Sequence, residues 1–163
     1  MNYAGIKYND IVDGEGITVS LWTVGCPHRC KGCHNSNLWE YSAGVPLPAD
    51  IRGRIIKAIS ENGIQRNFSV LGGEPLCKEN LAFVADIVKA VRMAYPSIKI
   101  YLWTGYTLEE LKDRISQGEN KIEEILLNID TLIDGRFISD EKDLNLHLRG
   151  SKNQRILKKG IDF

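Results

Sequence analysis

The chain has 163 residues, 43% of them hydrophobic, which suits one domain with a sizeable core, expected over residues 1–163. Twenty-one basic residues balance 21 acidic ones, so the totals argue against a general attraction to nucleic acid or to an anionic membrane. No apolar run approaches a bilayer span and Met1–Lys7 has no signal-peptide core, so the chain is expected in the cytoplasm, where thiols stay reduced.

In chain order, Asp13-Gly14-Glu15-Gly16 reads as a tight turn. Ile17 to Val24 alternates and is rich in β-branched residues, the pattern of a strand, and a cysteine-bearing loop follows it. Asp50 is placed to cap a helix whose apolar face is Ile51, Ile55, Ile56 and Ile59. Asn67 to Leu71 predicts a short buried strand ending in Gly72-Gly73-Glu74-Pro75. Leu81, Val84, Ile87, Val88 and Val91 share one face of a helix that must stop before Pro96. Ile98 to Trp103 is the next strand, and Thr107 with Glu110 forms a capping-box pattern opening another helix. Gly118 and Asn120 break that helix, Ile122, Ile125, Leu126 and Ile129 continue a helical face, and Asp130 to Ile133 reads as a strand before Asp134-Gly135.

Strands that alternate with helices predict an α/β fold with a mostly parallel sheet. Ligands bind such sheets at the carboxyl ends of the strands. The cysteine loop, the Gly-Gly-Glu turn, Trp103-Thr104-Gly105 and Asp134-Gly135 all follow predicted strands, so one edge should collect them.

Three of the four cysteines crowd into Cys26-Pro27-His28-Arg29-Cys30-Lys31-Gly32-Cys33. Crowding of this kind suits a metal centre better than a disulfide framework. A structural zinc site wants four protein ligands, for which His34 or Cys77 are the available fourth donors, and such a chain would be a zinc-binding interaction module. An iron–sulfur cubane on three thiolates instead leaves one iron open to a ligand. Forty residues on, Gly72 and Gly73 expose backbone polar groups to a close ligand, and Glu74 is able to accept from an ammonium.

Cys26, Cys30 and Cys33, spaced by three and then two residues, together with the Gly72-Gly73-Glu74 turn, resemble the radical S-adenosylmethionine superfamily. Gly32 stands where many of its members carry an aromatic residue, and it fits one branch, the activating proteins of anaerobic ribonucleotide reductases. Val12-Asp13-Gly14-Glu15-Gly16-Ile17 and Gly25 to Asn35 look like the glycyl-radical activating enzymes. Trp103-Thr104-Gly105-Tyr106, Ile133 to Phe137 and Arg149 to Arg155 look like the reductase-activating branch. The resemblance covers Val12 to Arg155.

It implies a partial (β/α) barrel in a single domain. It implies a 4Fe–4S cluster on Cys26, Cys30 and Cys33, and S-adenosyl-L-methionine held by Gly32, Cys33, His34, Gly72, Gly73 and Glu74. The reaction implied is reductive cleavage of S-adenosylmethionine to methionine and a 5′-deoxyadenosyl radical. That radical takes hydrogen from a glycine on the large subunit of an anaerobic ribonucleoside-triphosphate reductase. An external donor, such as a flavodoxin-like protein, supplies the electron, and no acid, base or nucleophile is implied. Alternatives within the superfamily are an activator of another glycyl-radical enzyme and a small-molecule enzyme of the deazapurine synthase type.

Other residues have plainer readings. Cys77 reads as a small buried or half-exposed thiol. His28 and Arg29 read as solvent-facing loop positions, with contact to a partner as the sharper option, and His147 reads as a surface position. Asp13 shapes its turn, and the resemblance adds contact with the partner's peptide. Asp130 and Asp134 read as half-buried carboxylates, with a cation or the cofactor as the sharper option. Trp22, Trp39 and Trp103 read as core. The polar stretch Arg149–Arg155 reads as a solvated tail, as a docking segment for the partner, or as a segment closing over the adenosyl end of the cofactor that the resemblance implies.

Overall fold

A computed structural model describes residues 1–163. Strand β1 (Asn2–Asp10) turns through residues 11–17 into the antiparallel β2 (Thr18–Thr23), and β3 (Val45–Pro46) pairs with the other side of β1. Then come α1 (Ile51–Ile59), β4 (Asn67–Gly72), α2 (Lys78–Ala94), β5 (Ile100–Trp103), α3 (Leu108–Ser116), α4 (Asn120–Asn128), β6 (Thr131–Asp134) and β7 (Arg155–Lys158). All seven strands form one sheet in the order β3-β1-β2-β4-β5-β6-β7.

The middle of the sheet is parallel, β2 with β4, β4 with β5 and β5 with β6. Alternation within these strands separates two faces. Val19, Leu21, Phe68, Val70, Ile100, Leu102 and Leu132 join the helices' apolar residues in a continuous core of 26 buried side chains. Their neighbours Thr18, Ser20, Trp22, Ser69, Tyr101, Trp103 and Thr131 belong to the opposite face, which is polar and aromatic.

The expected partial barrel is found as an open, mixed sheet. Its edges β3 and β7 are antiparallel to their neighbours and do not pair with each other.

The helices follow the sequence closely. Thr107 accepts from the Glu110 N–H at 3.2 Å while Glu110 accepts from the Thr107 N–H at 2.8 Å, completing the capping box. Asp50 holds the N-cap position of α1 without a side-chain cap bond, because its carboxylate takes the Arg54 guanidinium at 2.9 Å instead. In α1, Ala58 is buried and Ile56 only half so. Asn120 begins α4 and does not act as a breaker, which leaves Gly118 at φ +100° to separate it from α3. Strands β1, β3 and β7 are additions to the expected pattern.

Candidate active site

Every expected loop emerges at the carboxyl end of a parallel strand, and backbone contacts clamp the first two together. The Gly73 N–H donates to the Thr23 carbonyl at 2.9 Å and the Glu74 N–H to the Gly25 carbonyl at 2.8 Å. A Cβ on Gly72, whose φ is +110°, would lie 2.6 Å from the Thr23 oxygen, and one on Gly73 2.6 Å from the Gly25 oxygen. The glycine pair is therefore demanded by the close approach of two strand exits.

The cysteine loop closes at its base through Gly25 N–H to Leu38 and Cys26 N–H to Trp39, at 2.8 and 2.9 Å. At its tip the Cys33 N–H donates to the Cys30 carbonyl at 3.1 Å, with Gly32 at φ +77°. A Cβ at Gly32 would lie 3.0 Å from the Ser139 hydroxyl and 3.7 Å from the Phe137 ring, so the segment after β6 fills the space beside it.

A cleft of about 350 Å³ opens over the polar face of the sheet. Cys30, Cys33, His34, Gly72 and Gly73 line it, whereas Cys26, Gly32 and Glu74 do not. Its walls include residues that sequence reasoning left in the core or on the surface. Trp22 and Trp103 face it from β2 and β5, and Phe137, Leu148 and Arg149 close the far side. Only the period-two position of Trp22 and Trp103, opposite the apolar residues, signalled their side of the sheet. Nothing local signalled Leu148, which is held at φ +56° while its carbonyl accepts from the Trp103 indole at 2.7 Å.

The donor set fits a soft metal centre. The three loop thiols are free and partly exposed. Burial pushes the Cys26 thiol up despite the His28 and Arg29 N–H groups that favour its thiolate, and burial does the same to Cys30 despite the Phe137 N–H. Coordination would have to displace these protons. No three His, Cys, Asp or Glu side chains are gathered tightly enough for a single metal ion. A cluster spreads its cysteine sulfurs more widely than one ion does. Trp22 and Arg149, which line the cleft, each carry a buried donor without a partner in the chain, Trp22 Nε1 and Arg149 Nε. A buried donor without a protein partner calls for an acceptor from outside the chain, water included.

Glu74 is placed differently from the expected ammonium acceptor. It is 1% exposed, and its Oε1 accepts from the Leu76 N–H and the Thr104 hydroxyl at 2.8 and 2.7 Å. Its Oε2 accepts from the Gly105 N–H at 2.7 Å and lies 3.0 Å from His28 Nε2. Four partners fill the acceptor positions of a carboxylate. His28 is correspondingly not a surface residue, since its side chain is only 5% exposed.

The remaining candidates are settled by their contacts. Cys77 is buried at the N-cap of α2, and burial pushes its thiol up to about 11. Asp130 binds the Arg92 guanidinium and the Ile100 N–H, and Asp134 binds Arg155 and the Leu108 N–H. Neither carboxylate lines the cleft. Asp13 does line it, close to Asp10 and 3.5 Å from the Lys7 ammonium.

Residues 12–157 match the family model described as a 4Fe–4S single cluster domain, which places the chain in a family of iron–sulfur proteins. The chain is 40% identical to a Pasteurella multocida protein over 96% of both chains. It is also 40% identical to one from Vibrio cholerae, covering 96% of this chain and 97% of that one. A protein of Enterobacteria phage T4 is 34% identical over 96% of this chain and 93% of its own. Each is named anaerobic ribonucleoside-triphosphate reductase-activating protein, and this chain belongs to that family.

Proposed function

We propose that this chain activates an anaerobic ribonucleoside-triphosphate reductase by generating a glycyl radical on its large subunit. In this reading Cys26, Cys30 and Cys33 hold a 4Fe–4S cluster. S-adenosylmethionine binds beside it through Cys33, His34 and the backbone of Gly72 and Gly73, with Gly32 shaping the loop tip next to Cys33 and Glu74 fixing the glycine turn from behind. The observation that carries the reading is the single cleft in which Cys30 and Cys33 share a wall with Gly72 and Gly73.

When bound, the cluster supplies the electron for cleaving S-adenosylmethionine. For each glycyl radical one electron and one S-adenosylmethionine are consumed, and methionine and 5′-deoxyadenosine are released. The electron comes from an external donor such as a flavodoxin-like protein, which suits a cytoplasmic setting. The chain's own residues bind, orient and exclude water. Trp22, Trp103 and Phe137 give the cleft apolar walls, which limit side reactions of a radical. Arg149 and Trp22 offer free donors to the cofactor's acceptor atoms. A zinc module is disfavoured by the family match, and by Cys77 being occupied with its own buried surroundings.

Anaerobic reconstitution tests the reading. Iron and sulfide should be retained at wild-type content by Cys77→Ala, and each of Cys26→Ala, Cys30→Ala and Cys33→Ala should lose a stable cluster. Reduced wild-type protein should convert S-adenosylmethionine to 5′-deoxyadenosine, and addition of the reductase should yield a glycyl-radical signal in electron paramagnetic resonance. Full cluster in the Cys30 variant, or no 5′-deoxyadenosine from the reduced wild type, refutes it.

A further inference from the structure

The Glu74 carboxylate joins three strand exits. Leu76 donates from its own turn after β4, Thr104 and Gly105 donate from the turn after β5, and His28 reaches it from the cysteine loop after β2. Because the other three partners are all donors, His28 Nε2 is the fourth donor, and the bond spans 46 residues of chain.

The imidazole is seated without slack. Its ring meets Tyr106 edge-on, with centroids 4.4 Å apart at 70°. A Cβ on Gly105 would lie 2.3 Å from His28 Cδ2, so the β5 turn has a glycine where the ring passes. A buried, satisfied histidine of this kind serves stability in most proteins, but its position gives it a second consequence. His28 lies midway between Cys26 and Cys30, and Glu74 adjoins Gly73. The loop's other cross-chain ties are backbone bonds at its base, the Asn80 amide of α2 donating to the Val24 and Glu74 carbonyls at 2.8 and 2.9 Å, the contact of Cys30 with the Phe137 N–H, and an exposed ion pair of Arg29 with Glu40. His28 is thus the only side chain of the loop itself that hydrogen-bonds to the turn, and it does so between two of the cysteines, whereas Asn80 joins loop and turn at their bases.

We infer that His28 is a positioning residue: its bond to Glu74 sets the placement of the cysteine loop relative to the glycine turn, and hence of the cluster relative to S-adenosylmethionine. The assignment to that chemistry rests on the proposed function, whereas the bond between loop and turn is a property of the chain alone.

The test compares His28→Ala and His28→Gln with wild type, the glutamine amide being able to donate from nearly the same place. Reconstituted His28→Ala should keep its iron and sulfide but bind S-adenosylmethionine about tenfold or more weakly, the size of effect of one charge-assisted hydrogen bond. The change that S-adenosylmethionine induces in the paramagnetic resonance spectrum of the reduced cluster should be diminished in parallel. His28→Gln should recover affinity to within about threefold of wild type. In the metal-free protein, hydrogen exchange at the Gly105 and Leu76 amides should quicken in His28→Ala and not in His28→Gln. Wild-type affinity and spectrum in His28→Ala, or a glutamine variant no better than alanine, overturns the inference. If wild type binds neither cluster nor S-adenosylmethionine, the proposed function fails, and unchanged exchange at Gly105 would separately refute the loop-to-turn bond.

Discussion

Asp10 closes β1 and Asp13 follows it in the turn, with both carboxylates within 3.6 Å of the Lys7 ammonium. Burial and the neighbouring Asp10 push Asp13 up to about 6, against the pull of Lys7. Burial opposes ionisation of Asp10 too, but the Asp13 carboxyl and the Val12 N–H outweigh it and bring Asp10 down to about 2. The pair therefore holds one proton between them over the intervening range. An unfolded aspartate titrates near 3.8. From about 2 to 3.8 the unfolded chain holds the extra proton at Asp10, so stability rises with pH. From 3.8 to about 6 the native chain holds it at Asp13, so stability falls with pH. Urea midpoints at fixed ionic strength should show that falling limb in wild type and not in Asp13→Asn, and equal declines in both would refute the shared proton. The sequence marks these residues without disclosing such partners. Asp13 is legible as a turn residue, but its coupling to Asp10 needs the turn's actual path. Glu74 stands out in its motif, yet the donors that fill it come from His28, Thr104 and Gly105, far away in sequence. Residue type predicts that a buried carboxylate must be satisfied, and only the fold says by whom.

Strand β7 and helix α3 show how an element's role depends on its neighbours. Arg155 opens β7 and meets the Asp134 carboxylate with two of its nitrogens while also reaching Glu109 in the first turn of α3. Asp134 is fully buried, whereas the Arg155 side chain is 42% exposed. Removing the arginine leaves a buried carboxylate with the Leu108 N–H as its only other donor. Arg155→Ala should cost about 2–3 kcal/mol, below the usual value for a fully buried pair because water reaches the guanidinium. That corresponds to a melting temperature lower by roughly 4–12 °C. Calorimetry decides it, and a loss under about 1 °C would show the clamp to be idle. Arg155 thereby has a structural tie at the end of the stretch that the sequence leaves open among a solvated tail, a docking segment and a cofactor cover. Periodicity made the four helices and the parallel strands legible, because each buries a full stripe or both faces. The antiparallel edges were not legible for the same physical reason. Strand β1 is half-exposed and carries two register irregularities, and β7 is only partly buried at every position.

On the scale of the molecule, the two faces of the sheet divide the labour. The helices cover the apolar face, and the loops at the strand ends build a cleft over the polar one. The position of that cleft follows from the parallel order of β2, β4, β5 and β6, and so was legible from the alternation of strands and helices. Its far wall was not, because the segment from Phe137 to Gln154 contains almost no regular structure to announce it. Arg149 belongs to that wall. Its Nη1 donates to the Gln154 carbonyl at 2.8 Å, which holds the side chain in place, and its Nε is buried without a partner. A docking arginine would present its guanidinium to a partner protein, whereas this one lines the same cleft as Cys30, Cys33 and Gly73. Under the proposed function, that Nε–H and the guanidinium plane would serve an acceptor or a ring of the cofactor once the cleft is filled. Arg149→Ala should therefore lower 5′-deoxyadenosine formation in the absence of the reductase and glycyl-radical yield in its presence by the same factor, about tenfold for one lost charge-assisted hydrogen bond. Arg149→Lys should recover little, because a flexible ammonium reproduces neither the fixed Nε–H nor the planar surface. The measurements are product quantification and electron paramagnetic resonance on matched, fully reconstituted samples. Unimpaired cleavage with a selective loss of glycyl radical would return Arg149 to the partner interface and leave the far wall of the cleft to Phe137 and Leu148.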